Sequence, residues 1–280
     1  MAKRPYDIVI FGATGYTGEH VARSVQRMVD DGSWPNVRWA VAGRSQSKLS
    51  TVVRKHGLKP SGVVIADTGD PSSLRAMAAS TTILLNATGP YRFFGEPVVE
   101  ACIAEGAHYT DLCGEPEFID RMQLHYGERA AAAGVIIVHG CAFDSVPADI
   151  GTIFTALQFP PPACCAQAMM YHTFHVGAGA SGAMGHATTF YAAVHGFAGI
   201  DATRAQRKQL AEKLEREAPG SSKGPAPLGP KLRVPRGPVW VEQLQKYSFL
   251  FPGADAAIVR TSQRHLAMLA VDAAPSAPYL

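Results

Sequence analysis

The sequence predicts an α/β protein that begins with a doubly wound parallel sheet. Over residues 1–150, six short segments that read as strands alternate with segments that have helical periodicity or helix-capping residues. The first apolar segment, residues 8–11, runs directly into three glycines at Gly-x-x-Gly-x-x-Gly spacing. The alternation ends near residue 151, so residues 151–280 are expected to form a second domain.

The glycine-rich turn predicts a dinucleotide-binding site. Residues 8–11 read as a strand buried on both faces, and residues 19–31 have the apolar spacing of an amphipathic helix. Between them, Gly12 permits a tight turn, Gly15 admits a pyrophosphate and Gly18 lets the helix pack against its strand. The expected cofactor contacts here are Gly12, Ala13, Thr14, Gly15, Tyr16, Thr17 and Gly18. The alternative interpretation is a strand-to-helix turn without a ligand.

The end of the second strand, residues 37–42, favours NADP(H). In NAD-binding folds an acidic residue usually follows this strand and holds the ribose hydroxyls. Here Arg44 occupies that position, with Ser45 and Lys48 close behind. A guanidinium can pair with the 2′-phosphate of NADP(H). A solvated surface arginine is the alternative.

The third strand is expected over residues 62–67. It ends at Asp67, a candidate contact for the adenine amino group. Asp70 and Pro71 then have the pattern of an N-cap followed by the first residue of a helix.

The fourth strand, residues 82–86, runs into a loop that faces the cofactor crevice in an open α/β sheet. Asn86, Gly89 and Pro90 are therefore candidates for lining the nicotinamide ribose. A plain connecting loop is the alternative.

The remaining elements of the first domain follow in order: a helix over 97–105, a strand over 108–112, a helix over 116–133 and a strand over 135–138. Asp144 or Ser145 is expected to cap the helix that comes next, with Pro147 in its first turn.

Weak catalytic candidates near the expected crevice are Tyr91, Asp111, Cys113, Glu115 and Asp144. Each has a structural alternative, such as packing for Tyr91, burial for Cys113 and helix capping for Asp144. None of the nine tyrosines has a lysine four residues on, which disfavours a short-chain dehydrogenase. Motifs for zinc or α/β-hydrolase chemistry are absent from the sequence, so no metal is expected.

Composition narrows the class further. The 280 residues are 47% apolar with a net charge of +3, which fits a globular protein and does not favour a nucleic-acid partner. Five cysteines without a CxxC pair, and no recognisable signal peptide, suggest a reduced, intracellular setting. No apolar run is long enough for a membrane span.

In the second half, a helix is expected over 185–197 and a loop rich in Pro and Gly over 219–238. Residues 201–238 carry nine Lys/Arg against four Asp/Glu. The loop could contact an anionic membrane or substrate, and a solvated loop is the alternative.

Several segments together closely resemble the saccharopine dehydrogenase-like oxidoreductases. They are the glycine turn and residues 86–91, 94–97, 111–115, 143–149 and 255–264. The resemblance is to the eukaryotic branch, which is related to mycobacterial trans-acting enoyl reductases. It implies a Rossmann-type dinucleotide domain, then a mixed α/β domain, with the active site between them.

The resemblance also implies an NADP(H)-dependent reductase whose substrate is a small molecule or lipid with a carbonyl or enoyl group. Its eukaryotic members are associated with lipid droplets, membranes and mitochondria. A catalytically silent nucleotide-binding scaffold on a lipid surface is the alternative. Two departures stand out: the family's usual Gly-Thr is Gly185-His186 here, and this chain stops at Leu280, where family members continue. The second domain is therefore expected to be shortened.

Overall fold

The structure is a computed structural model, and it describes residues 4–143, 145–160, 163, 165, 167–173, 187–217, 237–251 and 253–272. The chain forms two compact units, Met1–Cys141 with Gly185–Arg207, and Ala142–Met184 with Lys208–Leu280. The expected domain boundary at residue 150 stays a prediction. Three features named above lie outside the described residues: Asp144, the Gly185-His186 pair and residues 219–236 of the basic loop.

The first unit contains a six-stranded parallel sheet. Its strands are β1 Tyr6–Phe11, β2 Trp39–Gly43, β3 Gly62–Ile65, β4 Thr81–Asn86, β5 His108–Asp111 and β6 Ile137–Val138. They lie in the order β3-β2-β1-β4-β5-β6, and every neighbouring pair is parallel. The winding direction reverses between β1 and β4, which confirms the predicted doubly wound, Rossmann-type sheet. In such sheets the ligand crevice lies outside the carboxyl ends of the strands at this reversal.

The helices are α1 Tyr16–Asp30, α2 Gln46–Lys55, α3 Pro71–Ala79, α4 Tyr91–Glu105, α5 Pro116–Ala132, α6 Val146–Leu157, α7 Ala187–Ala198, α8 Ile200–Glu217 and α9 Asp255–Asp272. The predicted cap of α3 is confirmed, because Asp70 Oδ1 accepts the amides of Ser72 at 3.0 Å and Ser73 at 3.3 Å. Helix α7 confirms the helix expected over 185–197.

An apolar core fixes the start of α1 against the sheet. Ile10 of β1 and Val41 of β2 are fully buried and belong to one cluster with Ala22 and Val25 of α1 and Leu49 of α2. Burying a large aliphatic side chain stabilises a fold by about 1.5–3 kcal/mol. The packed core therefore fixes the position of the turn between β1 and α1.

Helix α4 begins earlier than the sequence predicts, at Tyr91 and not at Pro97. Pro97 lies inside the helix, where proline removes a backbone donor. The first turn is stabilised from outside, because Glu115 accepts the amides of Tyr91 at 2.7 Å and Arg92 at 3.2 Å. Pro90 at the N-cap has no side chain that could cap the helix. The prediction from local sequence therefore put the start of α4 too late in the chain.

In the second unit, α6 packs against α9, and Ser262 Oγ donates to Asp149 Oδ2 at 2.6 Å. As predicted, Ser145 is the N-cap residue of α6 and Pro147 lies in its first turn, but the Ser145 side chain forms no capping hydrogen bond within the described residues. Strands β7 Val239–Val241 and β8 Lys246–Ser248 pair antiparallel. No helix in the described ranges is both long and apolar enough to cross a bilayer.

Candidate dinucleotide site

The turn after β1 is closed by contacts that leave no room for side chains. Gly12 has a φ of 86°, in the left-handed region that glycine adopts readily. A Cβ on Gly12 would lie 2.8 Å from Thr88 Cγ2, and a Cβ on Gly18 would lie 2.1 Å from the Gly12 carbonyl oxygen. Helix α1 therefore rests directly on the turn, and these two positions require glycine.

Gly15, in contrast, is exposed and less tightly enclosed than Gly12 and Gly18. A Cβ there would meet a single backbone oxygen within 4 Å, at 3.3 Å. Gly15, Tyr16 and Thr17 are exposed, whereas Ala13 is buried and Thr14 is half-buried. The first amides of a helix have no acceptor inside it and carry the positive end of its dipole. This open helix start fits the pyrophosphate of a dinucleotide.

Basic side chains follow the end of β2. Arg44 and Lys48 are exposed, and neither forms a salt bridge with another described residue. Just before the same strand, Arg38 is engaged differently, because it forms a two-point ion pair with Asp7 at 2.6 and 3.2 Å. Ser45 is the N-cap of α2, and its Oγ accepts the Lys48 amide at 3.4 Å. The exposed guanidinium of Arg44 is thus available for an anionic group.

Asp67 and Asn86 both hold backbone turns. Asp67 Oδ1 accepts an amide of its own turn at 2.9 Å. Asn86 is fully buried, and its Oδ1 accepts the Thr88 amide at 3.0 Å. Gly89 and Pro90 are half-buried and complete the loop that leads to α4. Asn86 therefore shapes this loop, and direct cofactor contacts by these four predicted residues stay predictions.

Tyr91 and Glu115 fix the start of α4. Glu115 Oε1 accepts the Tyr91 amide at 2.7 Å, and its Oε2 accepts the amide and the Nε–H of Arg92, both at 3.2 Å. The Tyr91 hydroxyl donates to the Asn86 carbonyl at 2.9 Å and accepts the Leu112 amide at 3.2 Å. Burial raises the pKa of Tyr91 well above its ordinary value. Proton transfer by either residue stays a prediction that this geometry does not favour.

Glu115→Ala is expected to lower the free energy of unfolding by about 2–4 kcal/mol, because it leaves the amides of Tyr91 and Arg92 without their acceptor and removes one partner of the Arg92 guanidinium. Urea denaturation followed by circular dichroism measures this. Glu100→Ala is the matched control, because Glu100 is half-exposed and pairs with Arg129 at 3.4 Å. Its expected effect is below about 0.5–1 kcal/mol, and equal losses in the two variants would contradict the capping role.

The carboxyl ends of β5 and β6 meet at Asp111, which is fully buried. Its Oδ1 accepts the amides of Cys113 at 3.0 Å and Gly140 at 2.9 Å. Its Oδ2 accepts the Tyr109 hydroxyl at 2.9 Å and bonds to His139 Nδ1 at 2.6 Å. This carboxyl group therefore joins the last two strands at the cofactor edge of the sheet.

His139 is the candidate that the sequence analysis missed. It directly follows β6, and the rule that directed attention to Asn86 and Asp111, that ligand-facing residues lie just after the strands, also applies to it. Cys113 is buried, and its Sγ accepts the Glu115 amide at 3.2 Å, so it helps to shape the turn after β5.

The predicted site residues lie in a row along one edge of the sheet. The glycine turn, Asn86 and Asp111 end the adjacent strands β1, β4 and β5. Arg44 and Asp67 follow β2 and β3 on the other side of the turn. These site residues therefore form two groups. Beside β2 lie exposed basic side chains, and beside β4 to β6 lie buried side chains that are hydrogen-bonded to one another.

Residues 8–138 match the family model described as the saccharopine dehydrogenase NADP binding domain. The matched interval holds the glycine turn, the basic residues after β2 and nearly the whole sheet. It confirms the expectation of NADP(H) as the cofactor.

Relatives match most of the chain. The human saccharopine dehydrogenase-like oxidoreductase is 40% identical over 275 residues, which cover 94% of this chain and 60% of that protein. A Caenorhabditis elegans relative named lipid droplet localized protein is 34% identical over 271 residues, covering 92% and 59%. A Mycobacterium tuberculosis protein with the provisional name trans-acting enoyl reductase is 40% identical over 149 residues, covering 52% and 34%. This chain thus spans about 60% of the length of the human relative.

Proposed function

The chain belongs to the saccharopine dehydrogenase-like oxidoreductase family, and from that premise we propose that it is an NADP(H)-dependent reductase. Its substrate is a lipid-related or otherwise apolar compound with a carbonyl or enoyl group. The provisional name of the mycobacterial relative supports the enoyl chemistry, and the name of the worm relative supports a lipid setting.

The observation that carries the proposal is the contrast within the glycine turn. A Cβ on Gly12 or Gly18 would clash with several atoms, whereas a Cβ on Gly15, at the exposed start of α1, would meet one backbone oxygen, at 3.3 Å. A turn without a ligand needs glycine only at the enclosed positions. Glycine at the open position is explained by a group that approaches the backbone from outside, and a pyrophosphate is such a group.

In this proposal the two groups of site residues along the sheet edge bind different parts of NADP(H). The amides of residues 16–18 hold the pyrophosphate, because the Gly15 amide donates to the Gly12 carbonyl at 2.9 Å. Arg44 with Lys48 holds the 2′-phosphate of the adenosine ribose. Asn86 keeps the loop after β4 in shape beside the nicotinamide ribose. When bound, NADPH supplies a hydride, and the protein orients the substrate and provides a proton.

Turnover of NADPH with a panel of enoyl and ketone lipids tests the proposal. We expect at least one member of the panel to be reduced, with NADPH consumed and reduced product formed in equal amounts. Binding of NADPH without turnover across the panel would contradict reductase activity.

A catalytically silent nucleotide-binding scaffold on a lipid droplet is the second candidate. Two observations favour it: the name of the worm relative, and the use of Tyr91 and Glu115 in holding α4. It predicts NADPH binding without turnover, together with flotation of the chain with phospholipid-coated oil droplets. Location at a membrane or in mitochondria stays a prediction.

A further inference from the structure

A hydrogen-bond chain runs inside the first unit from the loop after β4 to His139. Thr88 bonds to Asn86, Asn86 to Tyr109, Tyr109 to Asp111, and Asp111 to His139. Three of these side chains, Asn86, Tyr109 and Asp111, are almost completely buried. The chain therefore connects the loop expected beside the nicotinamide ribose with an imidazole at the end of β6.

The direction of every hydrogen bond in this chain is fixed by its first member. The Thr88 amide can only donate, so Asn86 Oδ1 accepts it, at 3.0 Å. The Asn86 amide group then donates from Nδ2 to the Tyr109 oxygen at 3.2 Å. Tyr109 must in turn point its proton at Asp111 Oδ2, 2.9 Å away. Burial also raises the pKa of Tyr109 well above its ordinary value, so the phenol keeps that proton.

Asp111 accepts from every side. Besides Tyr109, two backbone amides donate to it, those of Cys113 at 3.0 Å and Gly140 at 2.9 Å. A carboxylate has only acceptor oxygens. Its remaining partner, His139 Nδ1 at 2.6 Å, must therefore also carry a proton and donate it. This fixes the tautomer of the imidazole.

The other ring nitrogen of His139, Nε2, takes no part in this hydrogen-bond chain. Nε2 has no hydrogen-bond partner in the described part of the chain and is not among the side-chain atoms sealed from solvent. The ring itself is held edge-on to Tyr109, with centroids 5.7 Å apart, and to Phe118 of α5, at 5.4 Å. Asp111 and Tyr109, both on β5, are titratable groups in contact with it. An oriented imidazole with one free nitrogen is suited to proton transfer.

We infer that His139 is the residue that donates and accepts the proton in the reductase reaction, with Asp111 and Tyr109 as its positioning residues. The inference rests on the proposed function. Position supports it, because His139 ends β6, three strands from β1 on the side of β4 and β5. At a strand spacing of about 4.8 Å this is roughly 14 Å from the glycine turn, within reach of a substrate beside the nicotinamide end of an extended dinucleotide.

The proton balance is simple. Reduction adds a hydride from NADPH to one atom of the C=O or C=C bond and a proton to the other. That proton leaves His139 Nε2, and the imidazolium becomes a neutral imidazole that keeps its Nδ1–H on Asp111. Water then returns a proton to Nε2, and no further reactant is needed.

Nuclear magnetic resonance of the imidazole tests the inference without activity. In protein labelled at histidine, the resonance of His139 is the one lost in His139→Gln. The matched control is His125→Gln, at an exposed position of α5. We expect neutral His139 to be the Nδ1–H tautomer. NADP⁺ should shift its Cε1–Hε1 signal, whereas 2′,5′-ADP, which lacks the nicotinamide half, should not. A neutral Nε2–H tautomer, or no shift with bound NADP⁺, would overturn the inference.

Kinetic measurements distinguish a failure of the role assigned to His139 from a failure of the proposed reductase function. On a lipid that the wild type reduces, His139→Gln should keep the NADPH affinity and lose about 100-fold to 10,000-fold in kcat. Tyr109→Phe, which removes one donor to Asp111, should lower kcat less and shift the pH profile. Full activity of His139→Gln overturns this inference alone. Failure of the wild type to bind NADPH, or to reduce any lipid, overturns the proposed function and this inference with it.

Discussion

Gly15→Val abolishes NADP(H) binding and leaves the fold intact, as we expect from the open position of Gly15. Its backbone has a φ of −81° and a ψ of 161°, an extended conformation that valine adopts, and the Gly12 oxygen, 3.3 Å from the ideal Cβ, needs to shift by only a few tenths of an ångström. The new side chain would fill the space where a pyrophosphate meets the amides of α1. Losing those contacts and adding a steric clash should weaken binding by more than 100-fold, which fluorescence titration with NADPH measures.

Two further glycines make this result interpretable. Gly127, in α5, has no atom within 4 Å of its ideal Cβ, so Gly127→Val should bind NADPH like the wild type. Gly18→Val cannot serve, because its Cβ would lie 2.1 Å from the Gly12 oxygen and disrupt the fold. If Gly15→Val keeps its circular dichroism spectrum and wild-type affinity, the turn does not hold the phosphates.

Arg44→Asp is expected to reverse the cofactor preference. A charge-assisted hydrogen bond contributes about 1.5–3 kcal/mol, which is on the order of tenfold to a hundredfold in affinity. Aspartate removes that contribution, repels the 2′-phosphate and offers an acceptor to the ribose hydroxyls of NADH. NADPH binding should therefore weaken by at least tenfold to a hundredfold, while NADH binding stays equal or improves. Lys48 substitutes in part, so a double variant should lose more.

Arg54→Asp controls for the change in net charge, because Arg54 is exposed at the other end of α2. It should leave both affinities close to those of the wild type. Titrations of all variants at low and high salt separate an ionic contact from a change in shape, since salt screens the former. Equal weakening of both cofactors by Arg44→Asp would place Arg44 away from the ribose.

The sequence predicted the sheet well because its signals are local. Most strands are short runs of apolar residues, Gly12 and Gly18 mark the turn between β1 and α1, and Asp70 caps α3 from within its own segment. The same is true of Arg44, which can be located simply by counting from the end of β2. Such features can be predicted from the periodicity of apolar residues and from the chemistry of residues that are neighbours in sequence.

The misses arose where the stabilising group is distant in sequence. Helix α4 starts at Tyr91 because Glu115, from the segment after β5, accepts its first amides. No pattern around residue 91 carries that information. The role of His139 likewise depends on a carboxylate on the neighbouring strand, 2.6 Å away, and becomes visible only when β5 and β6 lie side by side.

Calorimetric titration of the wild-type chain with NADPH and NADH tests the central claim most directly. The open glycine turn and the exposed basic residues after β2 predict one site that binds NADPH at least tenfold more tightly than NADH, with a preference that shrinks as salt rises. Absence of binding, or equal affinity for both cofactors at low salt, would contradict an NADP(H) site in this sheet.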